Sequence, residues 1–187
     1  MNRFHHWFCR SSRWEKMLQR RLPWTLAGVD LGPEVLEIGP GPGLTTDQLR
    51  HTTNRLTALE LDSQLAESLR ERLRGSNVEV VNGDASAMQF PDARFSGCVS
   101  FTMLHHVPSS ALQDKLFREV WRVVKPGGVF VGSDSTQSLL MRLIHLGDNF
   151  VPVDPKTFRA RLEAAGFEVL EVKQISRTFR FHARRPR

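Results

Sequence analysis

Four groups of residues have the types and spacing to handle a polar ligand. Glu37-Ile38-Gly39-Pro40-Gly41-Pro42-Gly43 sets three glycines at alternate positions behind a carboxylate. Glycine adopts backbone conformations closed to other residues, so such a run lets a ligand approach the main chain closely. Leu56-Thr57-Ala58-Leu59-Glu60 closes an apolar run on a carboxylate, a group able to accept both hydroxyl protons of a ribose. Gly83-Asp84-Ala85 brings a further carboxylate, which either takes the exocyclic amine of an adenine or forms an Asx turn. His105-His106 offers imidazoles that titrate near neutrality and could take a proton. The plainer alternative for Leu104-His105-His106-Val107 is capping the next helix and packing its loop.

The glycine spacing restricts the ligand. A dinucleotide fingerprint needs G-x-G-x-x-G, yet counting from Gly39 or Gly41 the sixth position is Leu44 or Thr46. No Gly-Lys-Ser/Thr follows, so the P-loop pattern is absent too. Pro40 and Pro42 lack N–H groups and so withdraw two donors from a loop that a pyrophosphate would want donor-rich. Gly41, Gly43 and the first helical turn remain as donors, a surface suited to one carboxylate at a helix N-terminus.

These residues must be held by alternating strands and helices. Val35 to Ile38 reads as a buried strand running into the glycine loop, and Leu44 to His51 as the crossover helix after it. Arg55 to Leu61 is a second strand, and Asp62 or Ser63 caps a helix through Arg74. Val78 to Val81 and Phe95 to Phe101 are the third and fourth strands, and Ala111 to Val124 a long amphipathic helix. Lys125-Pro126-Gly127-Gly128 reads as a turn before a fifth strand, Val129 to Gly132. This alternation predicts parallel βαβ units with right-handed crossovers. The end differs: a helix from Pro155 to Ala165 stops at Gly166, and Phe167 to Ile175 and Thr178 to Ala183 are close enough to require an antiparallel pair. Ahead of the glycine loop, residues 12 to 30 predict an amphipathic helix followed by a short connector, with Trp14, Met17, Leu18, Arg21 and Leu22 on one side of the helix and Pro23 and Gly32-Pro33 punctuating the run. Covering the sheet is its favoured role over closing a site or touching a membrane.

The chain of 187 residues is long enough to bury a core without metal or disulfides and is expected to form one domain, 1–187, with 1–33 as a helical cap and 34–187 as the core. Cys9 and Cys98 match no zinc or redox spacing, which favours a reduced setting. The sequence has no apolar run of about 18 residues and its start lacks a signal-peptide core, so a cytoplasmic location is expected. The net charge of +6 is concentrated at the ends: Arg3, Arg10, Arg13, Lys16, Arg20 and Arg21, then Arg180, Arg184, Arg185 and Arg187. Such a balance serves RNA or anionic membrane in some proteins, but no stacking platform accompanies it here, and solubility is the simpler reading.

Taken together, five pieces resemble the class I S-adenosylmethionine-dependent methyltransferases of the small-molecule, methyltransferase type 11-like kind. They are Leu36 to Gly43, Leu59-Glu60-Leu61-Asp62, Gly83-Asp84-Ala85, Ser100 to Val107, and Val120 to Gly128, in that order over about 100 residues. The resemblance implies a Rossmann-like, doubly wound seven-stranded α/β sheet of order 3-2-1-4-5-7-6 with strand 7 antiparallel, in keeping with the terminal hairpin. It implies that Gly39, Gly41 and Gly43 lie under the methionine part of the cofactor, with Glu37 also among the cofactor-binding residues, that Glu60 holds the ribose and Asp84 with the backbone of Ala85 the adenine, and that Ser100 and Phe101 border the amino-acid portion.

Methyl transfer from a sulfonium is an in-line displacement that needs no metal; the protein aligns the acceptor and excludes water. His105 or His106 is the candidate base, and Asp134, Asp148 and His145 are other polar residues near the same edge or its later loops. Residues 135 to 153, with Met141, Leu143, Ile144, Leu146 and Phe150, are apolar enough to form a lid or to pack on the core. The expected partner is a small-molecule acceptor. A second resemblance, to enzymes that dimethylate adenine in ribosomal RNA, is weakened at the place where those enzymes carry an Asn-Leu-Pro-Tyr type motif, which here reads Ser100-Phe101-Thr102-Met103. Nucleic acid is therefore disfavoured as substrate. The competing classes are a non-catalytic protein of this fold docking on RNA or lipid, and a nicotinamide-dependent oxidoreductase, disfavoured by both glycine registers.

Overall fold

A computed structural model describes residues 12–136 and 150–187, with side chains from Lys16 onward in the first segment. The lid residues Met141, Leu143, Ile144 and Leu146, the polar His145 and Asp148, and Arg3, Cys9 and Arg10 lie outside the described residues, as do the side chains of Arg13 and Trp14.

The elements in order are α1 (Ser12–Leu26), β1 (Glu34–Ile38), α2 (Thr46–Leu49), β2 (Arg55–Glu60), α3 (Ser63–Arg72), β3 (Val78–Asn82), β4 (Phe95–Phe101), a 3₁₀ turn (Leu104–His106), α4 (Ser110–Val123), β5 (Val124–Ser135), α5 (Pro155–Ala164), β6 (Glu168–Ile175) and β7 (Thr178–Arg184). The strands form one seven-stranded sheet of order β3-β2-β1-β4-β5-β7-β6. β1 to β5 pair in parallel, whereas β7 runs antiparallel to both β5 and β6. The expected order and the expected terminal hairpin are both present.

Strand side chains alternate between faces, and the apolar runs bury both. One face carries Leu36, Ile38, Cys98 and Phe130 against Phe117 of α4 and Phe158 of α5. The other carries Val35, Val99, Phe101 and Val131 against Leu22 of α1, Leu31 and Leu49. α1 thus covers the sheet through Leu18 and Leu22, both buried, and each such leucine contributes about 1.5–3 kcal/mol. Carbonyls of both edge strands are taken by arginines, Val80 O by Arg70 of α3 and Val169 O by Arg159 of α5, which blunts the edges against further pairing.

Three elements depart from expectation. α1 runs through Pro23 to Leu26, because buried Thr25 and the packed Leu26 hold the last turn against the sheet. α2 is shorter than Leu44 to His51: the Thr52 and Thr53 hydroxyls both bond the Leu49 carbonyl and end it. Lys125 to Gly128 is a bulge inside β5 rather than a turn before it, since β4 pairs with Val124 through Phe95 and again with Val129 through Gly97.

Candidate functional site

β1 delivers the chain to the carboxyl edge of the sheet, where Gly39 N–H donates to the Leu59 carbonyl at 2.9 Å. Gly39, Gly41 and Gly43 all have left-handed backbone, with φ of 65°, 56° and 88°. Two of them are also pinned by neighbours: a Cβ on Gly39 would stand 2.2 Å from Met103 Cγ, and one on Gly43 2.4 Å from Leu69 Cδ1. Gly41 differs, for a Cβ there meets nothing within 4 Å. The loop is closed on the side of the fold and open at Gly41.

Glu60, at the end of β2, reaches that open point. Its Oε2 accepts from Gly41 N–H at 2.9 Å and its Oε1 from Asp62 N–H at 3.0 Å, in a nearly buried setting. Each oxygen keeps a lone pair for a further donor, such as a ribose hydroxyl. Asn82, unremarked in the sequence, ties β3 to this corner by donating from its side-chain amide to the Glu60 and Leu61 carbonyls at 2.8 and 3.0 Å. Asp84 comes next, exposed, with Oδ1 accepting from Ser86 N–H at 2.7 Å. It forms the Asx turn and presents the carboxylate at the same edge. Ala85 is half-buried against the core.

Glu37 lies beneath the loop. Its carboxylate is 1% exposed and accepts from the Thr45 hydroxyl and, at 2.6 Å, from the Thr46 hydroxyl. Burial pushes it up to about 7; the two threonine bonds oppose that rise, and the charges of Asp47 and Glu60 add to it. Glu37 therefore braces the start of α2 from inside. Thr45 and Thr46, one residue past the glycine run, are the signal from which this brace could have been read.

On β4, Ser100 is fully buried and its Oγ finds no hydrogen-bond partner among the described residues. Phe101 turns to the opposite face, with Leu22 and Val131. Thr102 then takes φ of 50°, rare for a β-branched residue, while its N–H donates to the Ser133 carbonyl at 2.7 Å. Such strain persists only where the surroundings impose it, and it collects at functional turns. The turn it starts carries His105, which is 2% exposed, with Nδ1 2.5 Å from Asp134 Oδ1. His106 is half-buried beside it, the two rings 4.2 Å apart, and Phe150 meets His105 edge-on at 5.6 Å. Gln113, fully buried on α4, fixes the turn by donating to the Leu104 and Val151 carbonyls, both at 3.0 Å. The sequence marked Asp134 only as a polar residue near the edge and passed over Gln113, because partners 29 and 9 positions away leave no local pattern.

Gly41, Glu60, Asp84, Ser100 and His105 thus share the carboxyl edge of β1 to β5, where open parallel sheets bind ligands. The open flank of Gly41, the Glu60 carboxylate and the orphaned Ser100 hydroxyl fit a nucleoside bearing an amino-acid tail better than a pyrophosphate. Among the described residues, no group of three or more His, Cys, Asp or Glu could hold a metal ion, and no helix is long and apolar enough to cross a membrane.

A family model described as "Methyltransferase domain" matches residues 36–132. The chain is 45% identical over 67 residues to a probable ribosomal RNA small subunit methyltransferase A of Thermococcus onnurineus, covering 36% of this chain and 24% of that protein. It is 29% identical over 175 residues to a probable S-adenosylmethionine-dependent methyltransferase of Mycolicibacterium smegmatis, covering 88% and 60%. It therefore spans less than two thirds of either relative. Among solved structures, phosphoethanolamine N-methyltransferase 2 of Haemonchus contortus, in complex with S-adenosyl-L-methionine, shares the fold with a TM-score of 0.77 at 15% identity, over 98% of this chain and 56% of that one.

Proposed function

On the premise that this chain belongs to the methyltransferase domain family matched over residues 36–132, we propose that it binds S-adenosylmethionine at the carboxyl edge of β1, β2 and β4 and moves its methyl group to a small-molecule acceptor. The observation that carries this reading is the clasp between Glu60 and the open point of the glycine loop at Gly41. When bound, the cofactor supplies an electrophilic methyl on a sulfonium. Glu60 accepts the ribose hydroxyls, and Asp84 with the Ala85 backbone meets the adenine. Gly39, Gly41 and Gly43 would let the methionine portion lie against the backbone, and Ser100 with the backbone of Phe101 would bound its far end. Glu37 acts one layer below, holding Thr45 and Thr46 so that the loop keeps its shape.

The test is calorimetric titration with S-adenosylmethionine, S-adenosylhomocysteine and NADH. Binding of the first two at sub-millimolar concentration and none of the third is expected; no binding of either sulfur nucleoside sinks the reading. The ribosomal RNA relatives favour a nucleic-acid acceptor, but two features weigh against carrying that over. Ser100-Phe101-Thr102-Met103 has neither an amide at its first position nor an aromatic ring at its last, the places that would receive a flipped base. Arg180, Arg184 and Arg185 are engaged within the fold, by Glu171, Glu168 and the carbonyls at the end of α4.

A further inference from the structure

Among the described side chains of α1, Arg21 is the charged one on the side that lies against the sheet. Leu18, Leu22 and Thr25 of the same stripe are buried, whereas Lys16 and Arg20 are exposed. Positions 18, 21, 22 and 25 recur at helical spacing, so position 21 falls where a covering helix ordinarily carries an apolar residue. Arg21 is half-buried there. The helix runs against the strand direction, since the chain beyond it brings the Leu31 carbonyl to Ser96 and Gly97, at the amino end of β4. Its earlier turns therefore approach the carboxyl edge. Trp24 marks the level: its carbonyl is held by Arg180 of β7, whose strand partner on β5 is Ser133. Arg21 stands nearly one turn closer to the edge, and helical side chains lean toward the helix N-terminus. Its guanidinium thus comes to the end of β5, where the Asp134 charge acts on it.

That guanidinium makes no hydrogen bond or salt bridge with the described residues, although Asp134 Oδ2 is itself buried without a partner. Arg21 is therefore not built as the ion-pair partner of Asp134. Its nitrogens, though unpaired, are not sealed from solvent. A permanent cation on an apolar stripe costs desolvation, and burial accordingly holds Arg21 below the ordinary arginine pKa, with the Asp134 charge opposing that fall. Charged groups taken this far from water are ordinarily paired. Five N–H donors in a planar fork, held at the ligand edge with no internal acceptor, suit an oxyanion that can take two of them at once.

We infer that Arg21 binds an oxyanion of the methyl acceptor, so that the acceptor is an anionic small molecule bearing a carboxylate or a phosphate. This rests on the methyl-transfer reading above. The other source of a carboxylate at this edge is the amino-acid tail of the cofactor. That reading gives the tail to the glycine loop after β1 and to the end of β4. Arg21 stands at β5, on the far side of β4 from that loop and about 5 Å farther along the sheet. Its fork is thereby left for the acceptor. An acceptor with a neutral end would leave the five donors as unmet as they are without it, and so gain nothing from this residue.

The experiment compares the full chain with Arg21→Met, which removes the charge and makes the stripe apolar. Thermal unfolding should show Tm unchanged or raised by a few degrees. A clear fall, or failure to fold, means that Arg21 serves the structure and overturns the inference. Calorimetric titration with S-adenosylmethionine should give the same affinity in both chains. A tenfold loss assigns Arg21 to the carboxylate of the cofactor and overturns the inference equally. Methyl transfer is then followed with S-adenosylmethionine labelled at the methyl carbon, using a metabolite extract of the source cells divided on an anion exchanger at neutral pH. Label is expected with the fractions that the exchanger retains. With those, Arg21→Met should raise KM about tenfold to a hundredfold while kcat changes less. Arg21→Lys, which keeps the charge and loses the fork, should fall between. Label with the unretained fractions alone, an unaltered KM in Arg21→Met, or bound cofactor with no labelled product overturns the inference. Failure of the unaltered chain to bind S-adenosylmethionine instead brings down the methyl-transfer reading itself.

Discussion

The Glu60 carboxylate, at the end of β2, accepts a hydrogen bond from the Gly41 N–H, 2.9 Å away in the loop after β1. One side chain thereby fixes the open point of the glycine loop, and under the proposed function it would face a ribose. Removing it costs the loop a charge-assisted bond and, on that proposal, the ligand its acceptor. Glu60→Ala is expected to weaken S-adenosylmethionine binding about tenfold to a hundredfold, the range of about 1.5–3 kcal/mol for a hydrogen bond to a charged group. Glu60→Gln should fall between. Calorimetric titration measures both, and unchanged affinity in Glu60→Ala would remove the ribose role.

Gly39 and Gly41 separate folding from binding. Both have φ near 60°, so alanine at either costs about 1 kcal/mol of backbone strain. At Gly39 the added methyl also collides with Met103 Cγ at 2.2 Å, and the β1 end or the Thr102 turn must shift. Gly39→Ala should therefore lower Tm clearly and disturb the His105 turn. Gly41→Ala should fold with a small loss of Tm and lose cofactor affinity, because its methyl enters the open flank. Thermal unfolding alongside titration distinguishes the two; equal Tm losses would mean that the Gly41 flank is not the ligand side.

Much of this site was legible in the sequence, for physical reasons. Buried parallel strands leave near-continuous apolar runs, so β1, β2 and β4 announced themselves, and the residues just past the end of such a strand lie at the binding edge. Glycines and carboxylates at those ends were therefore readable as a group. The antiparallel hairpin was readable because its connection is short, whereas the full strand order is implied by the family resemblance and is the order observed. Contacts between distant positions stayed hidden. His105 and Asp134 are 29 residues apart, Gln113 reaches Val151 across 38, and neither spacing has a local period. The role of Glu37 was hidden differently: a carboxylate before a glycine loop reads as a ligand contact, but burial turned it toward Thr45 and Thr46.

That burial makes Glu37 a source of pH dependence. Its folded value is raised to about 7 from the ordinary 4.5, with desolvation as the largest cause. Between those values the folded chain holds a proton that the unfolded chain has released, so stability falls as pH rises through that window. The contribution is fully kept below the lower value and fully lost above the upper, and amounts to about 3 kcal/mol. The unaltered chain should thus lose several degrees of Tm between about pH 5 and about pH 8, and Glu37→Gln should flatten that slope. A parallel slope in the variant would assign the dependence to another group.

Arg185 bears on whether the basic C-terminal end is a docking surface. Its Nη1 donates to the carbonyls of Trp121, Arg122 and Val124 at 3.0, 3.1 and 2.8 Å, and its guanidinium lies 3.9 Å from the Trp121 ring centre. These carbonyls close α4, the helix that carries Gln113, so the arginine caps an element that positions the His105 turn. Arg184 and Arg180 are likewise paired, with Glu168 at 2.7 Å and Glu171 at 2.5 Å. Cations engaged in this way have fewer donors to offer phosphates. Arg185→Ala is expected to cost about 1–3 kcal/mol through the lost cap and ring contact, visible as a lower Tm. The unaltered chain should show no retention on RNA or anionic vesicles at physiological salt. Retention that falls steeply with added salt and disappears in Arg185→Ala, with Tm unchanged, would reverse that assignment and make this end an anion-binding surface.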